Sequence, residues 1–240
     1  MSSPQCFENP PKLTPDYGAG TVQELGGLKT YVTGASDSKL AILIIADVFG
    51  YEAPNLRKLA DKVAAAGFFV VVPDFFYGDP VIDLSRPGFD IEAWKKLHNT
   101  DKGQEDAKLV IATLRSKGVN SIGAAGFCWG GIVAVKLASS NDIQAAVILH
   151  PGPLTIDEIR EVKIPIAVLG AEIDHYSPPE QLKEFGEILS AKSQLASLVK
   201  IFPGVGHGWT VRYNVEDEQA VKSAEEAHRD MLHWFTKFVK

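Results

Sequence analysis

The chain has 240 residues, 45% of them hydrophobic and 22% charged, with a formal net charge of −6. A chain of this length can bury roughly three-quarters of its unfolded surface, so its core needs neither disulfides nor metal. Its mild acidity and scattered Lys and Arg argue against nucleic acid or an anionic membrane surface as a partner. Residues 1–20 are rich in Pro, Gly and polar side chains and read as an irregular arm. The arm has no basic and apolar leader pattern, and no apolar run in the chain nears the roughly 18 residues of a membrane span. The expected location is therefore cytoplasmic. The two cysteines, Cys6 and Cys128, could pair, but two thiols make a poor disulfide framework, and reduced thiols are the expectation.

A hairpin is expected near Gly26 and Gly27, feeding a strand from Leu28 to Val32. Leu40 to Ile45 is a continuous apolar run, as a strand buried on both faces of a parallel sheet requires. Pro54 starts a helix whose Leu56, Leu59, Val63 and Ala66 recur every three to four residues. Phe68 to Val72 is strand. Ile91 to Lys117 is helical, with a break expected near Gly103. Ile122 to Phe127 is strand, Gly130 to Ser139 helix, Ile143 to Leu149 strand and Ile164 to Leu169 strand. Pro179 to Ala191 is helix, Leu198 to Phe202 strand, and the last helix carries Ala220, Ala224, Ala227, Met231, Trp234 and Phe238 on one stripe. Alternating strands and helices give an α/β fold with a mostly parallel sheet and helices on both faces. No linker or repeat divides it, so a single domain over 1–240 is expected. Loops after the carboxyl ends of the strands are where the site belongs.

The segment Gly126-Phe-Cys-Trp-Gly-Gly131 lies between a predicted strand and a predicted helix. It is the G-x-S-x-G nucleophile elbow with Cys in place of Ser. Glycines flank the nucleophile because a Cβ there would strike neighbouring backbone. A helix start also favours thiolate at Cys128. A nucleophile needs a base, and the base an orienting acid. Asp174 follows one strand and His207 the next, in the chain order this fold uses, and each intervening gap holds about one helix and one strand. His98, His228 and His233 fall in predicted helices and read as packing or surface residues. His175 is a poor candidate base, while His150, at a strand end, is placed to line a pocket. The oxyanion hole calls for two backbone N–H groups, one from Trp129 and one from the loop Ala46 to Gly50. No metal-ligand spacing and no nucleotide-binding motif is found, so no cofactor is implied.

Ala46-Asp-Val-Phe-Gly50, the Cys elbow, Asp174-His-Tyr-Ser-Pro-Pro179 and His207-Gly208 resemble the dienelactone hydrolase (carboxymethylenebutenolidase) family of α/β-hydrolases over nearly all of the chain after about residue 25. The arm Cys6-Phe-Glu-Asn-Pro-Pro11 looks like its eukaryotic branch. The resemblance implies a Cys128–His207–Asp174 triad, with Val48 and Trp129 N–H groups as the oxyanion hole. It implies that Asp47, standing where bacterial members have Glu, contacts the resting thiol, and that Arg212 binds a substrate carboxylate. The implied activity is hydrolysis of small esters or lactones through a thioester, with a small molecule as the partner. Two other readings stand beside it. One is a non-catalytic binder on the same fold. The other is a β-glucanase, as some plant relatives are labelled, although the sequence offers no carboxylate pair to flank a glycosidic bond.

Overall fold

A computed structural model of the chain describes residues 4–240; the first three positions of the expected irregular arm lie outside that range. Ahead of the sheet there is one 3-10 turn, Pro4–Phe7. The strands are β1 (Thr21–Leu25), β2 (Leu28–Thr33), β3 (Leu40–Ile45), β4 (Phe69–Pro73), β5 (Ser121–Cys128), β6 (Ala145–Pro151), β7 (Ile166–Ile173) and β8 (Ser197–Gly206). The helices are α1 (Pro54–Ala64), α2 (Ile91–Leu97), α3 (Thr100–Ser116), α4 (Trp129–Ala138), α5 (Ile156–Arg160), α6 (Pro179–Ser190) and α7 (Glu218–Phe238).

The strands form one eight-stranded sheet in the order β1-β2-β4-β3-β5-β6-β7-β8. β2 pairs antiparallel with both β1 and β4, and all other pairs are parallel. This is the α/β-hydrolase architecture. The apolar run of β3 shows why the chain reads as it does. Leu43 and Ile45 face one core, with Val110 and Leu114 of α3, Val133 and Leu137 of α4 and Phe185 of α6. Ile42 and Ile44 face the other core, with Leu56 and Leu59 of α1 and Met231 and Phe235 of α7. Alternate side chains of a strand point to opposite faces, so a strand covered on both faces loses its polar alternation. Among the described residues no helix is long and apolar enough to cross a membrane.

Several boundaries differ from expectation: β7 and β8 run four residues past their expected ends at Leu169 and Phe202, and α5 stands where no element was expected. The break in the helical stretch after Ile91 falls at His98 and Asn99, not at Gly103, because the Asn99 side chain accepts from Lys102 N and caps a new helix. Gly103 sits in the first turn of α3 for a packing reason. A Cβ there would lie 2.6 Å from the Trp129 ring and 2.9 Å from Val133 Cγ2.

Candidate active site

The carboxyl ends of β3, β5, β6, β7 and β8 converge on one edge of the sheet, and the chemistry-bearing side chains collect there. At the end of β5 the chain turns straight into α4. Cys128 occupies the turn with φ of 50° and ψ of −111°, a conformation that costs a non-glycine residue on the order of 1–3 kcal/mol. The turn is imposed by close backbone approach. A Cβ on Gly126 would sit 2.1 Å from Gly130 O, and one on Gly130 would sit 2.2 Å from Ile45 O. Trp129 is the first residue of α4, where a helical N–H has no intrahelical acceptor. Its indole is anchored by a 2.9 Å bond to His98 O and packs on Phe75 and Phe76. Val48, buried, stands just past the end of β3.

Asp174 directly follows β7, and His207 directly follows β8. His207 Nδ1 donates to Asp174 Oδ2 at 2.7 Å, with both side chains fully buried. Asp174 Oδ1 accepts from Tyr176 N at 2.9 Å, which holds the carboxylate toward the ring. Burial opposes charge on His207, but the bond to Asp174 and contact with Cys6 outweigh it, so its pKa lies above the usual imidazole value. With Nδ1 committed to the carboxylate, Nε2 faces the two sulfurs.

Against both that nitrogen and the elbow stands Cys6, a residue to which the sequence analysis assigned no role. Its Sγ lies 3.6 Å from His207 Nε2 and 3.0 Å from Cys128 Sγ. The three ligand atoms of Cys6, Cys128 and His207 lie within 4.8 Å of one another, a set of soft donors that also suits a cation such as zinc. The two thiols are unbonded to each other and share a proton unequally. The hydrogen bond from Cys128 lowers Cys6 to about 5 against the effect of burial, with further help from His207. The same bond, burial and the charge on Cys6 push Cys128 upward. The dyad thus holds its negative charge at Cys6, beside the imidazole.

The arm that delivers Cys6 is stitched down on both sides. The Gln5 side chain donates to Ile173 O at 3.3 Å and accepts from His175 N at 2.8 Å, bridging to the loop that carries Asp174. Arg212 Nη1 donates to the carbonyls of Gln5, Cys6 and Glu8 at 3.2, 3.0 and 2.6 Å. Arg212 was expected to take a substrate carboxylate at an open pocket mouth; it lies buried beneath the arm. Its Nε faces Asp47 Oδ2 at 3.4 Å, and its Nη2 has no hydrogen-bond partner among the described residues. A Cβ on Gly208 would lie 2.1 Å from that Nη2, so this glycine makes room for the guanidinium.

The expected contact between Asp47 and the Cys128 thiol is not formed as a hydrogen bond. Asp47 Oδ1 accepts from Phe49 N at 3.0 Å and Oδ2 turns to Arg212. The side chain is short and the guanidinium is the stronger attraction, so Asp47 acts on the thiol only through its field. His150 is fully buried behind the site with φ of 36°. It packs edge-on against the His207 ring at 5.0 Å and meets Thr210 Oγ1 through Nδ1 at 3.1 Å. Burial holds it well below the usual imidazole range, and the neighbouring charges of His207 and Arg212 add to that. It packs behind His207 and does not reach the surface. A groove of about 1070 Å³ runs between the arm and the loop after β8, with Glu8, Pro10, His207, Arg212 and Tyr213 in its wall. Cys128 does not line it, because the turn Pro4–Phe7 lies between them.

Comparison with known proteins shows the family and the fold. The model of the dienelactone hydrolase family matches residues 28–239. A Zea mays endo-1,3;1,4-β-D-glucanase is 39% identical over 197 residues, covering 80% of this chain and 63% of the maize protein. The chain therefore spans less than two-thirds of that relative's length. A carboxymethylenebutenolidase homolog of Mus musculus is 31% identical over 226 residues, 92% of each chain. A solved dienelactone hydrolase-like promiscuous phosphotriesterase from metagenomic libraries has the same fold, with a TM-score of 0.70 at 17% identity over 93% of this chain and 100% of that one.

Proposed function

Because this chain belongs to the dienelactone hydrolase family, we propose that it is a hydrolase of small esters or lactones working through Cys128, His207 and Asp174. The observation that carries the reading is the buried 2.7 Å Asp174–His207 pair set against a strained cysteine at a strand-to-helix turn. Asp174 fixes the tautomer of His207 and stabilises the imidazolium that forms. When the Cys6 sulfur withdraws, Nε2 takes the proton of Cys128 and the thiolate attacks the substrate carbonyl. The developing oxyanion is received by the N–H groups of Val48 and Trp129. Collapse expels the alkoxide, which takes the proton from His207, and leaves a thioester. Water, deprotonated by His207, then releases the acid. Arg212, which lines the groove, is assigned the substrate carboxylate once the arm withdraws, since its Nη2 has no hydrogen-bond partner among the described residues and a guanidinium holds a carboxylate in a fixed planar geometry.

The test is a panel of lactones and esters, each acid paired with its neutral methyl ester, run on wild type and single variants. Cys128→Ala and His207→Ala are expected to lower kcat by about a million-fold and Asp174→Asn by about ten-thousand-fold, with KM little changed. Carboxylate-bearing substrates should have the higher kcat/KM. An active Cys128→Ala protein beside a dead Cys6→Ala protein would move the nucleophile to Cys6. A mixed-linkage glucan belongs in the panel on account of the maize relative. Glucan cleavage that survives Cys128→Ala would replace the ester reading with that one.

A further inference from the structure

The chain has only two cysteines, 122 residues apart, and the fold puts them sulfur to sulfur in one buried spot. An S–S bond is about 2.05 Å long, so their 3.0 Å separation needs about 1 Å of closure. Two thiolates on one tetrahedral zinc stand about 3.8 Å apart, given Zn–S bonds of about 2.3 Å. The pair is thus nearer to a disulfide than to a metal cradle. We propose that Cys6 and Cys128 are a redox pair that a hydroperoxide converts to a reversible intramolecular disulfide, locking the arm over the elbow and switching hydrolysis off. The loss of hydrolysis rests on the reading of Cys128 as the nucleophile; the disulfide itself does not.

The arrangement supplies what each step needs. Cys6 is 7% exposed against 1% for Cys128, so an oxidant arriving from solvent meets Cys6 first. It meets it as thiolate, because the hydrogen bond from Cys128 and the nearby His207 stabilise the anion. In the first step the Cys6 thiolate attacks the peroxide. An S–O bond forms, the O–O bond breaks, and hydroxide (or alkoxide) leaves, giving the sulfenic acid of Cys6. In the second step the Cys128 sulfur attacks Cys6 Sγ. The S–S bond forms, the S–O bond breaks, and the oxygen leaves as water with the proton of Cys128. Two thiols lose two electrons and the peroxide gains them. A dithiol reverses the process by exchange through a mixed disulfide. Gln5 and Arg212 hold the arm in register throughout, so bond formation competes with further oxidation of either sulfur.

The full chain is treated with hydrogen peroxide at near-stoichiometric amounts, free thiols are alkylated, and a non-reducing digest is mapped by mass spectrometry. One cross-linked species joining the Cys6 and Cys128 peptides is expected, two hydrogens lighter than the sum of its parts. Ester hydrolysis should fall in step with it and return with dithiothreitol. Cys6→Ser should form no cross-link, carry its oxidation as sulfinic acid on Cys128, and recover about tenfold less of its own starting activity than wild type does. Sulfinic acid on wild-type Cys128 with no cross-linked peptide overturns the proposal, and this readout needs no variant. A cross-link that leaves hydrolysis unchanged overturns the switch, and with it the nucleophile reading.

Discussion

The elbow and the arm meet at a sulfur–sulfur contact but are held in place by opposite means. The elbow is built from backbone in contact with backbone. Gly126 and Gly130 stand where any Cβ would enter the carbonyls of Gly130 and Ile45, and Cys128 is held at positive φ as a result. The arm is held by side chains reaching across the sequence, with Gln5 to the Asp174 loop, Arg212 to three arm carbonyls and Cys6 to Cys128. A structure of the first kind has one conformation or none. One of the second kind can be released bond by bond. The difference suits the roles proposed for them, a nucleophile that is held still and a cover that can be released.

The sharpest way to break the comparison is to disturb the elbow. Gly130→Ala should cost about 4 kcal/mol, read as a shift in the urea midpoint, because the atoms that must yield are backbone of β3. A loss under about 1 kcal/mol would mean the turn relaxes and is not dictated by contact.

A smaller effect should come from the loop that joins the two regions, since it carries both His207 and Arg212. His228 of α7 is buried and donates through Nε2 to Thr210 O at 2.8 Å. Burial lowers its pKa from 6.5 to about 4. The folded state therefore binds fewer protons than the unfolded one between these values. Its contribution is complete above pH 6.5 and is lost as the pH falls toward 4, amounting to about 3 kcal/mol. His228→Gln keeps an N–H for Thr210 O and removes the titration. Urea unfolding across that pH range should show wild type losing about 3 kcal/mol more than the variant. Equal slopes would mean that protonated His228 finds a partner in the fold.

The smallest effect should be release of the arm. Asp47→Asn with Arg212→Met removes both members of the buried pair, so no lone carboxylate is left behind, and it deletes the three bonds to Gln5, Cys6 and Glu8. Iodoacetamide labelling of Cys128 should then rise at least about tenfold, equivalent to about 1.4 kcal/mol, while the thermal midpoint changes little. Unchanged labelling would show that Gln5 and the sulfur contact hold the arm unaided.

Much of this was legible in the chain itself, for local reasons. β3 announces itself as a two-sided strand by six apolar residues in a row, and α1 by its spacing. The glycines around Cys128 mark a turn, and Asp174 and His207 sit just past strand ends in the order the fold uses. Local rules also mislead where a residue serves a distant neighbour. Gly103 looks like a helix breaker and is a space for Trp129, while Asn99, an ordinary polar residue in the sequence, is the cap. Arg212 and Asp47 were read singly, one toward substrate and one toward the thiol, whereas Asp47 turns to Arg212 and Arg212 reaches the arm carbonyls.

The sequence by itself therefore determined the parallel sheet, the strand-to-helix turn at Cys128 and the order of Asp174 and His207 along one sheet edge, because each follows from contacts a few residues apart or from the repeat of strand and helix. Only the tertiary structure decided that Cys6 stands against both Cys128 and His207, that Arg212 anchors the arm, and that His150 backs His207. Those contacts span 122, 206 and 57 residues of chain. Their geometry is set by how the completed sheet brings its loops together, and no spacing or periodicity in the sequence encodes a distance of that kind.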